Sequence, residues 1–181
     1  MNQNHPAFPP TLPRAARRFA AEAAGQGRFV DHYLAFLLAQ ASYRISEEFH
    51  AQVRAAGLTV TEWRVLSSLL GSEGETIGRL AYLTITKQPT LSKLVHRLER
   101  DGLVQRTREE DDRRQTRVRL TEHGTTLAQR LCDLALRHQE SVLAPLTHEQ
   151  ATALLDTLQV LMGTPDIPTD VSWDDGEPAE G

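Results

Sequence analysis

Residues Thr86 to Gly124 read TKQPTLSKLVHRLERDGLVQRTREEDDRRQTRVRLTEHG, and the spacing of the apolar residues changes within this stretch at Gly102. Before Gly102 the apolar residues recur at steps of three and four, which predicts an amphipathic helix. Its buried stripe consists of Leu91, Leu94, Val95 and Leu98. After Gly102, residues 103–108 and 115–120 alternate along the chain, which predicts two β-strands. The acidic and basic block between these strands then becomes the tip of a β-hairpin.

The chain before this stretch predicts three more helices. Apolar residues at helical spacing run from residue 29 to Gly57, which ends a long first helix. Thr59, followed three residues later by Glu62, forms a capping box that opens a second helix. A short third helix is predicted at 75–84.

The remaining helices are marked by their first residues. Pro89 is compatible only with the first turn of the fourth helix, which therefore starts near Lys87. After the hairpin, Thr121 caps a long helix, and a capping box of Thr147 and Gln150 opens the last one. The predicted fold class is mainly α, with a winged helix-turn-helix lobe, a two-stranded β wing, and N- and C-terminal helices beside the lobe.

The net charge of −4 averages over unlike parts of the 181-residue chain. Residues 163–181 carry six acids and no lysine or arginine, so the rest of the chain is mildly basic. We expect a flexible basic arm at 1–28, a single domain at 29–162 and a disordered acidic tail at 163–181.

The composition also bears on location and chemistry. The sequence has no apolar run of the length that a membrane span needs, and its N-terminus lacks the apolar core of a secretory signal, so a cytoplasmic protein without membrane contact is expected. A single cysteine, Cys132, excludes an internal disulfide framework and a multi-cysteine zinc site. There is no glycine-rich phosphate loop, serine motif or paired-carboxylate arrangement, so we expect no catalytic residue, no metal and no cofactor.

The fourth helix carries the candidate nucleic-acid contacts. Two short helices joined by a tight turn and followed by a hairpin place the second helix in the major groove of DNA. Its outward side chains combine short hydrogen-bonding groups with cations, which suits both base edges and phosphates. These residues are Lys87, Gln88, Pro89, Thr90, Ser92, Lys93, His96 and Arg97. An ordinary solvated helix face is the alternative interpretation of the same pattern.

The wing sequence resembles that of a known family, the MarR family of bacterial transcription regulators. The matching residues, spaced without a gap, are Asp112, Arg113, Arg114, Val118, Leu120, Thr121 and Gly124. The segments TVTEWRVLSSL and LSKLVHRLERDGLVQR resemble the same family, and the resemblance covers residues 30–162. It implies a ligand-responsive transcription regulator that is not an enzyme, and we expect a repressor.

The resemblance also assigns a role to the wing tip. It implies DNA contacts by Asp112, Arg113 and Arg114. A carboxylate two residues before an arginine can hold the guanidinium extended for a narrow minor groove, so Asp112 would orient Arg114. The acids at 109–111 depart from a phosphate-binding design and are expected either to face away from DNA or to weaken non-specific binding.

In this family the first, fifth and sixth helices form a homodimer, which implies dimerisation helices at 29–57 and 121–162 around a DNA-binding lobe at 59–120. The residue pattern agrees, because the helix after Thr121 carries an apolar stripe that a small winged lobe cannot cover alone. The stripe consists of Leu127, Leu131, Leu134 and Leu136. A two-fold dimer requires a palindromic operator in double-stranded DNA.

Members of the family commonly bind small, often aromatic, organic acids where the dimer helices meet the lobe, so we expect release from DNA by a small aromatic or heteroaromatic carboxylic acid. An apolar slot with one or two cations suits a planar carboxylate. The candidate ligand-binding residues are Tyr33, Phe36, Leu37, Gln40, Tyr43, Arg44, Trp63 and Arg64. Plain core packing is the alternative for Trp63, and a surface ion pair is the alternative for Arg64.

Other regulatory chemistries have weaker support in the sequence. Some family members sense oxidants through a cysteine near the start of the first helix, but Cys132 falls in the fifth helix and is expected to be a small buried residue. A metal-sensing regulator would need ligands assembled from distant positions. A winged-helix protein-interaction module is a further alternative, although it leaves the outward cations unexplained.

Overall fold

The structure, a computed structural model, describes residues 28–108 and 116–163. Its elements are a 3-10 turn (Phe29–Asp31), α1 (Leu34–Ala55), α2 (Val60–Leu69), β1 (Glu75–Thr76), α3 (Ile77–Leu83), α4 (Gln88–Arg100), β2 (Val104–Arg108), β3 (Thr116–Leu120), α5 (Glu122–Leu143) and α6 (His148–Met162). The predicted mainly helical fold with a winged helix-turn-helix is confirmed. The predicted hairpin tip at 109–115 lies outside the described residues, as do 1–27 and 164–181.

The wing contains one more strand than predicted. β1 pairs antiparallel with β3, which in turn pairs with β2, so the sheet order is β1-β3-β2. Glu75 and Thr76, predicted as the start of the third helix, form β1 opposite Val118 and Arg117. Thr76 has extended backbone angles and its side chain accepts a hydrogen bond from the N–H of Arg79, so one residue both ends the strand and caps α3.

The predicted helix starts agree with the structure where a cap marks them. Thr59 and Glu62 form the capping box of α2, and Thr147 and Gln150 form that of α6. α4 begins at Gln88 with a proline in its first turn. The first helix is shorter than predicted, because a 3-10 turn occupies Phe29–Asp31 and α1 starts only at Leu34.

The chain divides into two compact units, with the boundary between Glu48 and Phe49. In the unit from Phe49 onward, α2, α3, α4, α5 and the sheet bury one apolar cluster. Its fully buried side chains include Leu66, Leu80, Leu91, Leu98, Val118 and Leu131. Burying one such side chain contributes roughly 1.5–3 kcal/mol, so the predicted stripe of α4 fixes that helix firmly against the core.

In the unit that ends at Glu48, the described part of α1 exposes its large apolar side chains. These are Leu34, Phe36, Leu37, Leu38, Tyr43 and Ile45. Several exposed apolar side chains on one helix are typical of an interaction face.

The junction between the wing and α5 explains one glycine of the wing motif. The hydroxyl of Thr121 donates to the carbonyl of Gly102 at 2.6 Å and accepts from the N–H of Gly124 at 3.0 Å. This pulls the first turn of α5 onto the backbone of Leu103. A Cβ at Gly124 would overlap the Leu103 carbonyl oxygen and lie 2.9 Å from its carbonyl carbon, so only glycine fits there.

The apolar stripe of α5 is covered more completely than predicted. Leu131 is fully buried, so the prediction that this stripe is left uncovered is wrong for that residue, while Leu127 and Leu134 are only partly buried against the core. Leu136 remains 58% exposed. None of the residues of α6 is buried, which leaves its apolar side chains at the surface. In the described part of the chain, no helix has both the length and the apolar character that crossing a bilayer requires.

Candidate nucleic-acid interface

α4 presents the predicted polar face on the side opposite the core. Its inward residues Leu91, Val95 and Leu98 are fully buried. Six of the eight candidate side chains are exposed and two, Gln88 and Ser92, are half-buried. The exposed ones are Lys87, Pro89, Thr90, Lys93, His96 and Arg97. The structure therefore brings these eight residues together along one side of the helix and around its N-terminus.

One edge of this face is tied to α2 by a partly buried ion pair. Nη2 of Arg97 lies 2.6 Å from Oε1 of Glu62, whose side chain is only 7% exposed. The other carboxylate oxygen of Glu62 accepts from the N–H and the hydroxyl of Thr59, at 2.7 and 2.8 Å. A single carboxylate thus caps α2 and anchors α4.

The protonation of Glu62 follows from these contacts. Burial on its own would raise the pKa of this carboxyl group, but the hydrogen bonds from Thr59 and the pairing with Arg97 outweigh burial and lower it. Glu62 is therefore a carboxylate at neutral pH, and the ion pair is formed there.

The opposite edge of the face is tied to the wing. Nε and Nη2 of Arg106, on β2, lie 2.9 and 2.7 Å from Oε2 of Glu99, on α4. These hydrogen bonds are the main cause of the lowered pKa of Glu99. Nη1 of Arg106 also lies 3.1 Å from Nε2 of His96. Because a guanidinium can only donate, Nε2 of His96 can accept this hydrogen bond in the tautomer that carries the ring proton on Nδ1.

The base of the wing is described, but its tip is not. Nη1 of Arg117 donates to the carbonyl of Gly74 at 3.1 Å, which joins β3 to the turn before β1. The candidates Asp112, Arg113 and Arg114 lie outside the described residues. The orientation of Arg114 by Asp112 therefore stays a prediction.

The candidate ligand-binding residues are divided between the two units. In the first unit, all six candidates of α1 and the residue before it are exposed; they are Tyr33, Phe36, Leu37, Gln40, Tyr43 and Arg44. Tyr33 stacks on Phe29 with ring centroids 4.9 Å apart. In the second unit, Trp63 is half-buried and meets Phe49 edge-on at 5.3 Å, so it contributes to the core. Arg64 is exposed and makes no ion pair with a described residue. A common site for the two groups stays a prediction.

The structure gives little support to the oxidant-sensing and metal-binding alternatives. Burial, and then the neighbouring Asp133, raise the pKa of the half-buried Cys132 thiol, which disfavours the reactive thiolate. Within residues 28–108 and 116–163, no cluster of three or more His, Cys, Asp or Glu side chains could hold a metal ion.

Comparison with known proteins gives an independent description of this architecture. Residues 56–115 match the sequence profile of the MarR family. The chain is 32% identical over 142 residues to the homoprotocatechuate degradative operon repressor of Escherichia coli, which covers 76% of this chain and 96% of that protein.

Solved structures are similar to the chain over the same region. A MarR family transcriptional regulator from Silicibacter pomeroyi DSS-3 superposes with a TM-score of 0.64 and 36% identity, covering 74% of this chain and 100% of that one. The transcriptional repressor CouR, solved on a 23-mer DNA duplex, superposes with a TM-score of 0.65 and 28% identity, covering 74% of this chain and 94% of that one. These likenesses extend beyond the helix-turn-helix to most of the chain.

Proposed function

The chain belongs to the MarR family of transcriptional regulators, and on that premise we propose that it is a repressor that binds a palindromic operator as a homodimer and is released by a small aromatic carboxylic acid. The observation that carries the proposal is the polar and cationic face of α4, exposed along its length and anchored at both edges by Glu62–Arg97 and Glu99–Arg106. A rigid recognition element of this kind suits sequence-specific docking.

The side chains of this face divide by the contacts they can make. Gln88 carries both a donor and an acceptor and suits an adenine edge, while Lys93 suits a guanine edge or a phosphate. His96 leaves Nδ1 available for a base or phosphate contact, because its Nε2 lies 3.1 Å from Nη1 of Arg106. At the wing, Arg114 oriented by Asp112 would enter the minor groove.

The homodimer is supported by the apolar surface of the terminal helices. In α6 the side chains of Leu154, Leu155, Leu161 and Met162 are between 40% and 73% exposed. A second copy related by a two-fold axis would cover such a surface and would double the recognition helix. Two recognition helices then require two half-sites about one DNA turn apart.

An aromatic acid as effector is supported by chemistry and by one relative. The operon named in the Escherichia coli relative degrades homoprotocatechuate, an aromatic acid. In this chain, Arg44 and Arg64 supply exposed cations, and aromatic side chains lie beside each of them in the sequence. Release requires that the acid bind more tightly to a dimer whose recognition helices are wrongly spaced for DNA.

A selection experiment tests the proposal without knowledge of the operator. The purified full chain is mixed with a library of randomised duplexes, and the bound duplexes are sequenced over several rounds. We expect enrichment of a palindrome, bound with a stoichiometry of two chains per duplex. No enriched sequence, or an enriched sequence without two-fold symmetry, would contradict the proposal.

Two variants connect the selected duplex to α4. Lys93→Ala should weaken binding and lower the slope of log affinity against log salt by about 1, as expected for one lost phosphate contact. Arg130→Ala, which removes another exposed cation from α5, is the matched control and should leave that slope unchanged. Titration of the complex with a panel of aromatic acids then tests release, with aliphatic acids of the same charge as the control.

A further inference from the structure

The turn between α3 and α4 has an unusual residue at its left-handed position. The N–H of Ile85 donates to the carbonyl of Tyr82 at 3.1 Å, and the N–H of Thr86 donates to that of Ala81 at 2.9 Å. These two bonds define a Schellman motif, in which the residue after the helix cap needs a positive φ and is usually glycine. Here that residue is Ile85, with φ 53°.

The same motif occurs twice more within residues 28–108 and 116–163, and both times with glycine. Gly57 after α1 has φ 79°, and Gly102 after α4 has φ 71°. At each of them the glycine and the residue after it make the same pair of hydrogen bonds. Ile85 is the one residue other than glycine with a positive φ among the described residues. A β-branched side chain is strongly disfavoured in this conformation, so the turn would be less strained with glycine.

Packing offers no compensation for this strain. The side chain of Ile85 is 79% exposed, more than any other large apolar side chain in the described residues. A strained residue that buries nothing within its own fold indicates a contact outside the fold.

The position of Ile85 points to the partner in that contact. It lies three residues before Gln88, where the recognition helix begins, and two residues before the exposed Lys87. In a helix-turn-helix the N-terminal residues of this helix contact base edges in the major groove, so the turn enters the groove beside them. Thymine is the base that presents a methyl group there.

We propose that Ile85 packs against the C5 methyl group of one thymine in each operator half-site and so contributes to sequence specificity. The inference rests on the proposed function, because it requires that α4 lie in the major groove. The side chain of Ile85 is exposed to solvent and is therefore available for this contact.

Deoxyuridine substitution tests this contact atom by atom. In the palindrome selected by the wild-type chain, each thymine is replaced in turn by deoxyuridine, which removes only the methyl group. We expect the wild type to lose affinity about three- to fivefold at one position per half-site, as for one apolar group left in water. Ile85→Gly should bind the unsubstituted duplex more weakly by a similar factor and show no loss at that position.

Two further measurements keep the outcome unambiguous. Ile85→Val retains branching and should retain the methyl sensitivity, while Ile85→Gly should raise the thermal midpoint, which shows that it folds. The inference would be overturned if loss of the thymine methyl group weakened binding equally in wild type and Ile85→Gly, or in neither. The proposed function would still stand in that case, because the palindrome had been selected. If Ile85→Gly formed a weaker dimer but still lost affinity on removal of the methyl group, Ile85 would contact the second copy of the chain and not thymine. That result would also overturn the inference. Failure to select any palindrome would remove the proposed function and this inference together.

Discussion

Replacing Glu62 by glutamine should remove the ion pair between α4 and α2 without destroying the start of α2. The glutamine carbonyl oxygen can still accept from the N–H of Thr59, so the capping box survives. Arg97 instead loses a carboxylate that lies 2.6 Å away. Glu62→Gln is therefore a test of the ion pair alone.

The size of the effect follows from the exposure of the two partners. A hydrogen bond to a charged group contributes about 1.5–3 kcal/mol. Arg97 is 46% exposed, so water can replace part of what it loses, and we expect Glu62→Gln to cost about 1–2 kcal/mol. Arg97→Met should cost more, on the order of 2–4 kcal/mol at neutral pH, because it leaves a carboxylate that is 7% exposed without its cation.

The pH dependence supplies a second signature. Because the pKa of Glu62 is lowered in the folded chain, its charge contributes stability above the pKa of the unfolded chain. That contribution is lost as the pH falls through the folded value. The difference between Arg97→Met and wild type should therefore shrink in acid, below about pH 4, whereas it should be constant from pH 6 to pH 8.

Urea unfolding of wild type, both single variants and the double variant gives the coupling energy directly. We expect at least 1 kcal/mol of coupling between Glu62 and Arg97. Glu122→Gln, which changes an exposed acid in the first turn of α5, is the matched control. We expect no measurable coupling energy between Glu122 and Arg97. Coupling below about 0.3 kcal/mol between Glu62 and Arg97 would refute the anchoring of α4 by this pair.

Four other changes have defined outcomes. Gly124→Ala forces a Cβ into a backbone carbonyl and should destabilise the chain by about 3 kcal/mol or more in urea unfolding, whereas a neutral effect would contradict the packing at the wing junction. Glu99→Ala frees the cation of Arg106 and should tighten binding to non-specific duplexes while lowering preference for the selected one, as measured by competition. Arg64→Ala should bind the selected duplex normally yet resist release by aromatic acids, and normal release would exclude Arg64 from the effector site. Arg114→Ala, in the predicted hairpin tip outside the described residues, should weaken binding broadly and lower its salt dependence. Unchanged affinity at every salt concentration would favour the alternative that this segment is only a solvated loop.

The parts of the fold that were predictable are those that local chemistry determines. Thr59 and Thr147 indicate helix starts because the side chain of each can accept a hydrogen bond from the backbone N–H three residues ahead. The sequence shows this spacing directly. The buried side of α4 was predictable for a similar reason, since a period of 3.6 residues assigns every position to a face.

The parts that were missed depend on residues far apart in the chain. β1 has only two residues, Glu75 and Thr76, too few for an alternating pattern, and it exists because β3 offers it a partner. The same holds for the contacts that anchor α4. Glu62 is fully explained by its capping box, so no local signal indicates that its second oxygen binds Arg97.

This anchoring changes how the outward residues of α4 must be interpreted. Arg97 is at once a candidate for base contact and a structural cation, so a loss of DNA binding in Arg97→Met could arise from either role. Glu62→Gln separates them, because it removes the anchor and leaves the guanidinium in place. If Arg97 contacts operator bases through its exposed donors, Glu62→Gln should retain most of the operator affinity that Arg97→Met loses. Glu62→Gln should also raise binding to non-specific DNA, because it frees the Arg97 cation from its ion pair. If Arg97 acts only by holding α4, the two variants should lose operator affinity together and in proportion to their loss of stability.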